Sequence, residues 1–304
     1  MATENVPDLQ QWRALGRDVV VAGQRIFCID SAPDDHTRPA VLLLHGFPTA
    51  SWDYARLWPP LRARMRVITL DLLGFGFSAK PCDHDYSIVE QADTVEAMVA
   101  ACGVTHYHVL AHDYGDSVAQ ELLARDNARS QRRIDSVCFL NGGLFPETHR
   151  PRLVQRLLCS PLGPAVAALT SRRAFWRSMT AIFGPATPPD AADLGAFWTL
   201  LTRDGGRHIM HRLIRYMPER VHQRERWVGA LTAARCPLAL INGSADPVSG
   251  AHMVARWRDV VGAGHIAELA GIGHYPQVEA PQQVLDHYGK FMAANGFLQR
   301  SPAG

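Results

Sequence analysis

Short apolar runs recur along this chain at intervals too long for a hairpin and long enough for a helix between them. Ala40–Gly46 (AVLLLHG) is almost continuously apolar and ends at a glycine. That is the pattern of a parallel strand buried on both faces, without the alternation of a half-solvated strand. Arg66–Asp71, Tyr107–Asp113, Ser136–Asn141, Leu238–Gly243 and His265–Gly271 repeat the form. The stretches between them predict helices over Ile88–Cys102, Gly115–Arg125, Gly250–Val260 and Pro281–Ala294. Such alternation predicts an α/β fold, a mostly parallel sheet with helices on both faces. Upstream, DVVVAG and QRIFCID read as an antiparallel hairpin at one edge.

The alternation stops between about residues 144 and 226. That stretch is rich in proline, arginine and leucine, with helical spacing at Leu153, Leu157 and Leu158 and no clear strand. A helical insertion after the strand ending at Asn141 is the simplest account, leaving 1–143 and 227–304 as the core. At 304 residues, 47% hydrophobic and 20% charged, the chain has ample material for a buried core. A net charge of +2 implies neither nucleic acid nor an anionic membrane as partner. Lysine occurs only at Lys80 and Lys290. The six cysteines (28, 82, 102, 138, 159 and 236) form no C-x-x-C pair, which argues against a zinc site or a disulfide framework. The N-terminus has no basic region followed by an apolar one, and no apolar run reaches membrane-spanning length. The expectation is a cytoplasmic monomer or homodimer with no metal or cofactor, acting on a small apolar substrate.

The sharpest chemical signal is Ala111-His112-Asp113-Tyr114-Gly115, between an apolar strand and a helix. Small residues flank a potential nucleophile there, as a tight strand-to-helix elbow requires. An aspartate at a helix start is ordinarily only an N-cap, so the rest of the pattern has to carry the reading. His45-Gly46-Phe47-Pro48 follows the first buried strand, Asp246 follows the Leu238 strand, and His274 follows the last one. Nucleophile, acid and histidine thus stand in the chain order of an elbow-type hydrolase. Ser117 lies inside the helix and is a poor rival to Asp113.

HGFPTASW, DLLGFGFSAKP, AHDYGDSVAQE and GHYPQVEAP together resemble the epoxide hydrolase and haloalkane dehalogenase branch of the α/β-hydrolases. The likeness runs from Leu42 to Pro281 and includes LNGGLFPETHRP and RWVGAL at the ends of the insertion. The resemblance implies an α/β-hydrolase core under a helical cap at about 144–226, with Asp113, Asp246 and His274 in catalytic roles. A carboxylate with a pKa of about 4 is already ionised at neutral pH, so Asp113 needs no base to attack an sp³ carbon. His274, held by Asp246, then activates water against the resulting ester. Backbone N–H groups of Phe47 and Tyr114 would stabilise the oxyanion, with His45 beside the substrate.

Epoxide opening benefits from an O–H donor, and the resemblance puts Tyr216 where that branch carries an epoxide-polarising tyrosine. No second tyrosine appears in the first half of the cap. Many dehalogenases of the branch hold the halide with an Asn after His-Gly and a Trp after the nucleophile. Here those positions are Phe47 and Tyr114. Trp176, Trp198 and Trp227 are the remaining indoles in or near the cap, with Trp176 and Trp198 as candidates for the substrate wall. His208 and His211 have ligand-like spacing but no acidic or cysteine partner, and read as a surface pair. Epoxide hydrolase is therefore the leading expectation, haloalkane dehalogenase the alternative, and a non-catalytic small-ligand receptor the reading from a different class.

Overall fold

Arg17–Val21 (β1) and Gln24–Asp30 (β2) form the antiparallel pair at one edge of the sheet. The two residues between them, Ala22 and Gly23, both have positive φ (48° and 79°), as a two-residue turn matching the strands' twist requires. The computed structural model describes residues 6–298. The first five residues of the start discussed above, and 299–304, lie outside it. Six further strands follow: Ala40–Leu44 (β3), Arg66–Leu70 (β4), Tyr107–Ala111 (β5), Ile134–Phe139 (β6), Leu238–Gly243 (β7) and His265–Leu269 (β8). The order across the sheet is β1-β2-β4-β3-β5-β6-β7-β8, with β3 through β8 parallel to one another. This is the α/β-hydrolase architecture.

Every residue of β3, β4 and β5 is buried, which accounts for their largely apolar runs; the polar members are paired, Arg66 with Asp30, Thr69 with the Leu43 carbonyl and His108 with Ser136. Helices Ile88–Ala101, Tyr114–Ala128, Ala251–Val260 and Pro281–Ala294 occupy the four stretches where helices were anticipated. The pattern does not announce the helix Leu9–Leu15. It is two turns long, buries only Trp12, and is held by a reciprocal cap between Asp8 and Gln11.

After β3 the chain pairs β4 on one side, and β5 then returns to the other side of β3. The loops leaving β3 and β5 therefore diverge at the carboxyl edge of the sheet, where open α/β sheets hold ligands. Between β6 and β7 the described chain is helical, beginning with Leu153–Leu158, Gly163–Leu169, Arg172–Thr180 and Ala191–Thr202. Met210–Leu213 and Tyr216–His222 follow. The last helix of this run, Arg224–Thr232, straddles residue 226 and lies against Tyr114–Ala128. Its Arg226 and Trp227 both donate to Glu121, at 2.7 and 2.9 Å.

Candidate active site

Ala111 ends a buried strand and Tyr114 begins a helix, so Asp113 must turn the chain almost alone. It does so at φ 48°, ψ −102°, a conformation that is costly for any residue with a side chain and needs surrounding structure to hold it. The Asp113 N–H donates to the Asn141 carbonyl (3.0 Å), and the N–H groups of His112 and Gly115 donate to Leu44 (2.9 Å) and His45 (3.0 Å). A Cβ on Gly115 would stand 2.4 Å from the Leu44 carbonyl oxygen, and one on Gly46 would stand 2.6 Å from His112 Nδ1. The small residues flanking the elbow are thus set by backbone approach.

The Asp113 side chain is 3% exposed. Its Oδ2 accepts the Phe47 N–H at 3.1 Å, while the Tyr114 N–H, the other donor anticipated, makes no bond to it here. Burial favours the neutral acid. The charges of His274 and Arg220, His112 and the Phe47 bond outweigh burial and hold the pKa below its ordinary value. Arg220 is the neighbour that the sequence reading missed. It is 2% exposed, donates from Nη2 to the Asp113 carbonyl (2.8 Å) and from Nε to Ser117 Oγ (2.6 Å), and stands 3.7 Å from Asp113 Oδ1. Its guanidinium also covers the Tyr216 ring at 4.4 Å. Tyr216 and Arg220 are four apart on one helix, a spacing that places both on one face. That spacing was the available signal.

His274 Nδ1 donates to Asp246 Oδ2 at 2.7 Å. The same oxygen accepts from Ser249 N–H, Ser249 Oγ and Asn141 Nδ2, and Asp246 Oδ1 accepts the Val248 N–H. Asn141 also exchanges bonds with the Gly243 backbone, locking the ends of β5, β6 and β7 together. Burial works against a charged imidazole, but the charge and hydrogen bond of Asp246, helped by Asp113, raise His274 to about 9. Asp246, buried yet saturated with donors, is held well below the usual carboxylate range.

Several anticipated contacts lie elsewhere. His45 is fully buried; Leu72 N–H donates to its Nε2 (3.0 Å), so Nδ1 carries the proton and donates to the Gly46 carbonyl (2.9 Å). Both nitrogens are spent holding the loop, and His45 is a loop brace and not a substrate contact. Trp176 borders an outer groove with Arg172 and Arg173, and Trp198 packs on Phe175 at 5.4 Å. Neither lines the apolar cavity bordered by Phe47 and His274, and the Trp227 indole is spent on Glu121. Ser117 is occupied by Arg220. Tyr216, by contrast, is fully buried, with its ring 6.1 Å from Phe47 and 4.9 Å from Tyr114. Its hydroxyl has no hydrogen-bond partner. Burial and the Asp113 charge keep it protonated, with a pKa well above 10.

The cavity that opens onto His274 and Phe47 is walled by Leu158, Phe175, Met179 and Met210, and so suits an apolar ligand. No group of three or more His, Cys, Asp or Glu side chains fit to hold a metal occurs among the described residues.

Residues 39–281 match the family described as alpha/beta hydrolase fold. The chain is 40% identical over 295 residues to the mesoderm-specific transcript protein of Mus musculus, covering 94% of this chain and 88% of that protein. It is 41% identical over 277 residues to the putative hydrolase LipZ of Mycobacterium tuberculosis, covering 91% and 95%. Among solved structures, the haloalkane dehalogenase DbeA of Bradyrhizobium elkani superposes with a TM-score of 0.77 at 23% identity, covering 92% of this chain and 98% of that one.

Proposed function

The chain belongs to the α/β-hydrolase fold family, and from that premise we propose that it hydrolyses epoxides to vicinal diols through a covalent ester on Asp113. The observation that carries the proposal is the carboxylate at the elbow, ionised, with one oxygen already bound to a backbone N–H. Asp113 Oδ1 attacks an epoxide carbon and the carbon–oxygen bond breaks. The Tyr216 hydroxyl hydrogen-bonds the leaving oxygen as it gains charge, and the proton that His274 holds at rest passes to the alkoxide, leaving the imidazole neutral. His274 then takes a proton from water, which adds to the ester carbonyl. The Phe47 N–H stabilises the oxyanion, joined by Tyr114 N–H once the geometry tightens. Collapse returns the Asp113 carboxylate and releases the diol. The helical layer at about 144–226 serves as the cap that supplies Tyr216 and Arg220 and closes the site.

The raised pKa of His274 fits this order of steps. The imidazole is charged while it faces the Asp113 anion. Esterification removes that anion and lowers the histidine's pKa, so the imidazole, its proton given to the alkoxide, stays neutral for the step that needs a base. Halide chemistry is less well supported. The Phe47 and Tyr114 side chains carry no N–H donor, and none of the three tryptophans offers an indole to the cavity.

The test is a side-by-side hydrolysis panel of epoxides, haloalkanes and activated esters, followed by single turnover in ¹⁸O-water. Epoxides are expected to turn over, with label entering the Asp113 carboxylate before the product. Label appearing in product at once, with none in the Asp113 peptide, rules out the ester. No turnover anywhere in the panel supports a receptor role instead.

A further inference from the structure

The cap carries a second feature that the chemistry at Asp113 does not use. From Thr148 to Pro189 the chain contains six arginines (150, 152, 156, 172, 173 and 177) and no aspartate or glutamate. The whole chain nets only +2, so the rest of it is net negative and the positive charge is segregated onto one stretch. None of the six arginines is in an ion pair among the described residues. Most arginines elsewhere in the cap and beside it are paired: Arg212 with Asp83, Arg224 and Arg256 with Glu147, Arg226 with Glu121. Of the acidic residues that follow, Asp190 caps the next helix, Asp193 pairs with Arg56, and Asp204 pairs with Arg25 and Arg203.

The same stretch presents large apolar side chains to solvent. Leu153, Leu162 and Leu169 are 72%, 62% and 81% exposed, while the helices that carry them keep only small parts of their surface buried. Arg172, Arg173 and Arg177 ring an open groove floored by Trp176 and Leu194. Exposed leucines interleaved with unpaired arginines are the composition of a surface that lies on an anionic bilayer, with leucines in the acyl boundary and guanidinium groups among the phosphates. Arg152, Gln155, Ala174 and Ser178 of this stretch also line the outer part of the cavity that ends at Phe47 and His274.

We propose that this face of the cap docks on anionic phospholipid membranes, setting the mouth of the apolar cavity against the bilayer so that a membrane-dissolved substrate enters without crossing water. No described helix is long and apolar enough to cross a membrane, so the contact is peripheral. The inference does not depend on which bond the site breaks.

Co-sedimentation of the full chain with phosphatidylcholine vesicles, with and without phosphatidylglycerol, tests it. The chain is expected to bind the phosphatidylglycerol vesicles and to release as salt is raised. An arginine near such a surface is worth about a factor of five in partitioning, so Arg172→Gln, Arg173→Gln and Arg177→Gln together should weaken binding about a hundredfold. Leu162→Ser with Leu169→Ser should weaken it at least about tenfold. Both variants should keep the wild-type rate on a water-soluble substrate, which shows that they fold and separates this idea from the catalytic one. Failure of the wild type to bind phosphatidylglycerol vesicles, or undiminished binding by both variants, overturns the proposal. So does a vesicle-free dimer, seen by light scattering, that the leucine substitutions abolish, because the patch would then be a self-association face.

Discussion

The sheet's loops and the helical layer at about 144–226 meet at Asp113 with different hydrogen bonding. On the sheet side the groups that hold His274 and the Phe47 loop have their partners: Asp246 accepts from Val248, Ser249, Asn141 and His274, and His45 spends both ring nitrogens on backbone. Facing them are groups buried with nothing to bond: Tyr216 OH and Arg220 Nη1 on the cap, and both nitrogens of His149 at its entry. Burying an unpaired donor costs roughly 1–3 kcal/mol each, so this side is less stable than its shape allows. The core has unpartnered buried atoms as well: His112 Nδ1, the Asp116 carboxyl, one oxygen each on Asp53, Asn127 and Asn242, the Gln277 amide, and the donors of Trp257 and Tyr288. Burial, with its neighbours' charges, keeps His112 neutral with a pKa of about 3, and raises Asp116 well above its ordinary value. The contrast is local: the residues that hold His274 and the Phe47 loop are fully bonded, while the buried Tyr216 hydroxyl, packed by Phe47 and Tyr114, has no partner.

Substitutions on the two sides sharpen that contrast. The largest effect is expected on the core side, from His274→Gln. Attack by Asp113 survives but ester hydrolysis stops, so turnover should fall by about 10⁴-fold or more, and intact mass should show one stoichiometric adduct. An unmodified mass with undiminished turnover would remove His274 from its role.

Next comes Tyr216→Phe on the cap side. Losing the O–H donor should slow alkylation by epoxides about 10²–10⁴-fold. The melting temperature should not fall and should rise by a few degrees, since the buried hydroxyl deleted has no partner to lose. Equal slowing on haloalkanes would reduce Tyr216 to a packing residue.

Arg220→Gln should act more mildly, by about tenfold, because the Asp113 carbonyl and Ser117 lose charge-assisted donors but the nucleophile stays. Its distinguishing readout is the acidic limb of kcat/KM. Without the guanidinium the Asp113 pKa rises, so that limb should move to higher pH; a fixed limb with lower activity would mean a purely structural role.

The smallest effect concerns pH and stability. His274 is raised from an ordinary value near 6.5 to about 9, so it binds its proton more tightly folded than unfolded. That stabilisation is fully present below pH 6.5 and is lost as pH rises through 9. Asp113 and Asp246 are lowered, so their contribution is present above the usual carboxylate pKa and is lost as pH falls through their folded values. The rise at His274 is worth roughly 3 kcal/mol, so thermal melts should drop by about 6–12 °C between pH 6.5 and 9, at roughly 2–4 °C per kcal/mol. The alkaline drop should flatten in His274→Gln.

The sequence by itself determined the sheet, the elbow and the order of Asp113, Asp246 and His274 along the chain. Those features follow from local physics: a strand buried on both faces has to be apolar throughout, and a tight turn has to be flanked by glycine or alanine. Only the tertiary structure decided what converges on Asp113. Arg220 lies 107 residues from Asp113 along the chain, and Asn141 lies 105 residues from Asp246. No periodicity encodes such pairs, although the four-residue step from Tyr216 to Arg220 hinted that they share a face. The tryptophans went the other way. An indole in a cap is equally at home in a wall, a core or a groove, and only packing put Trp176, Trp198 and Trp227 away from the cavity.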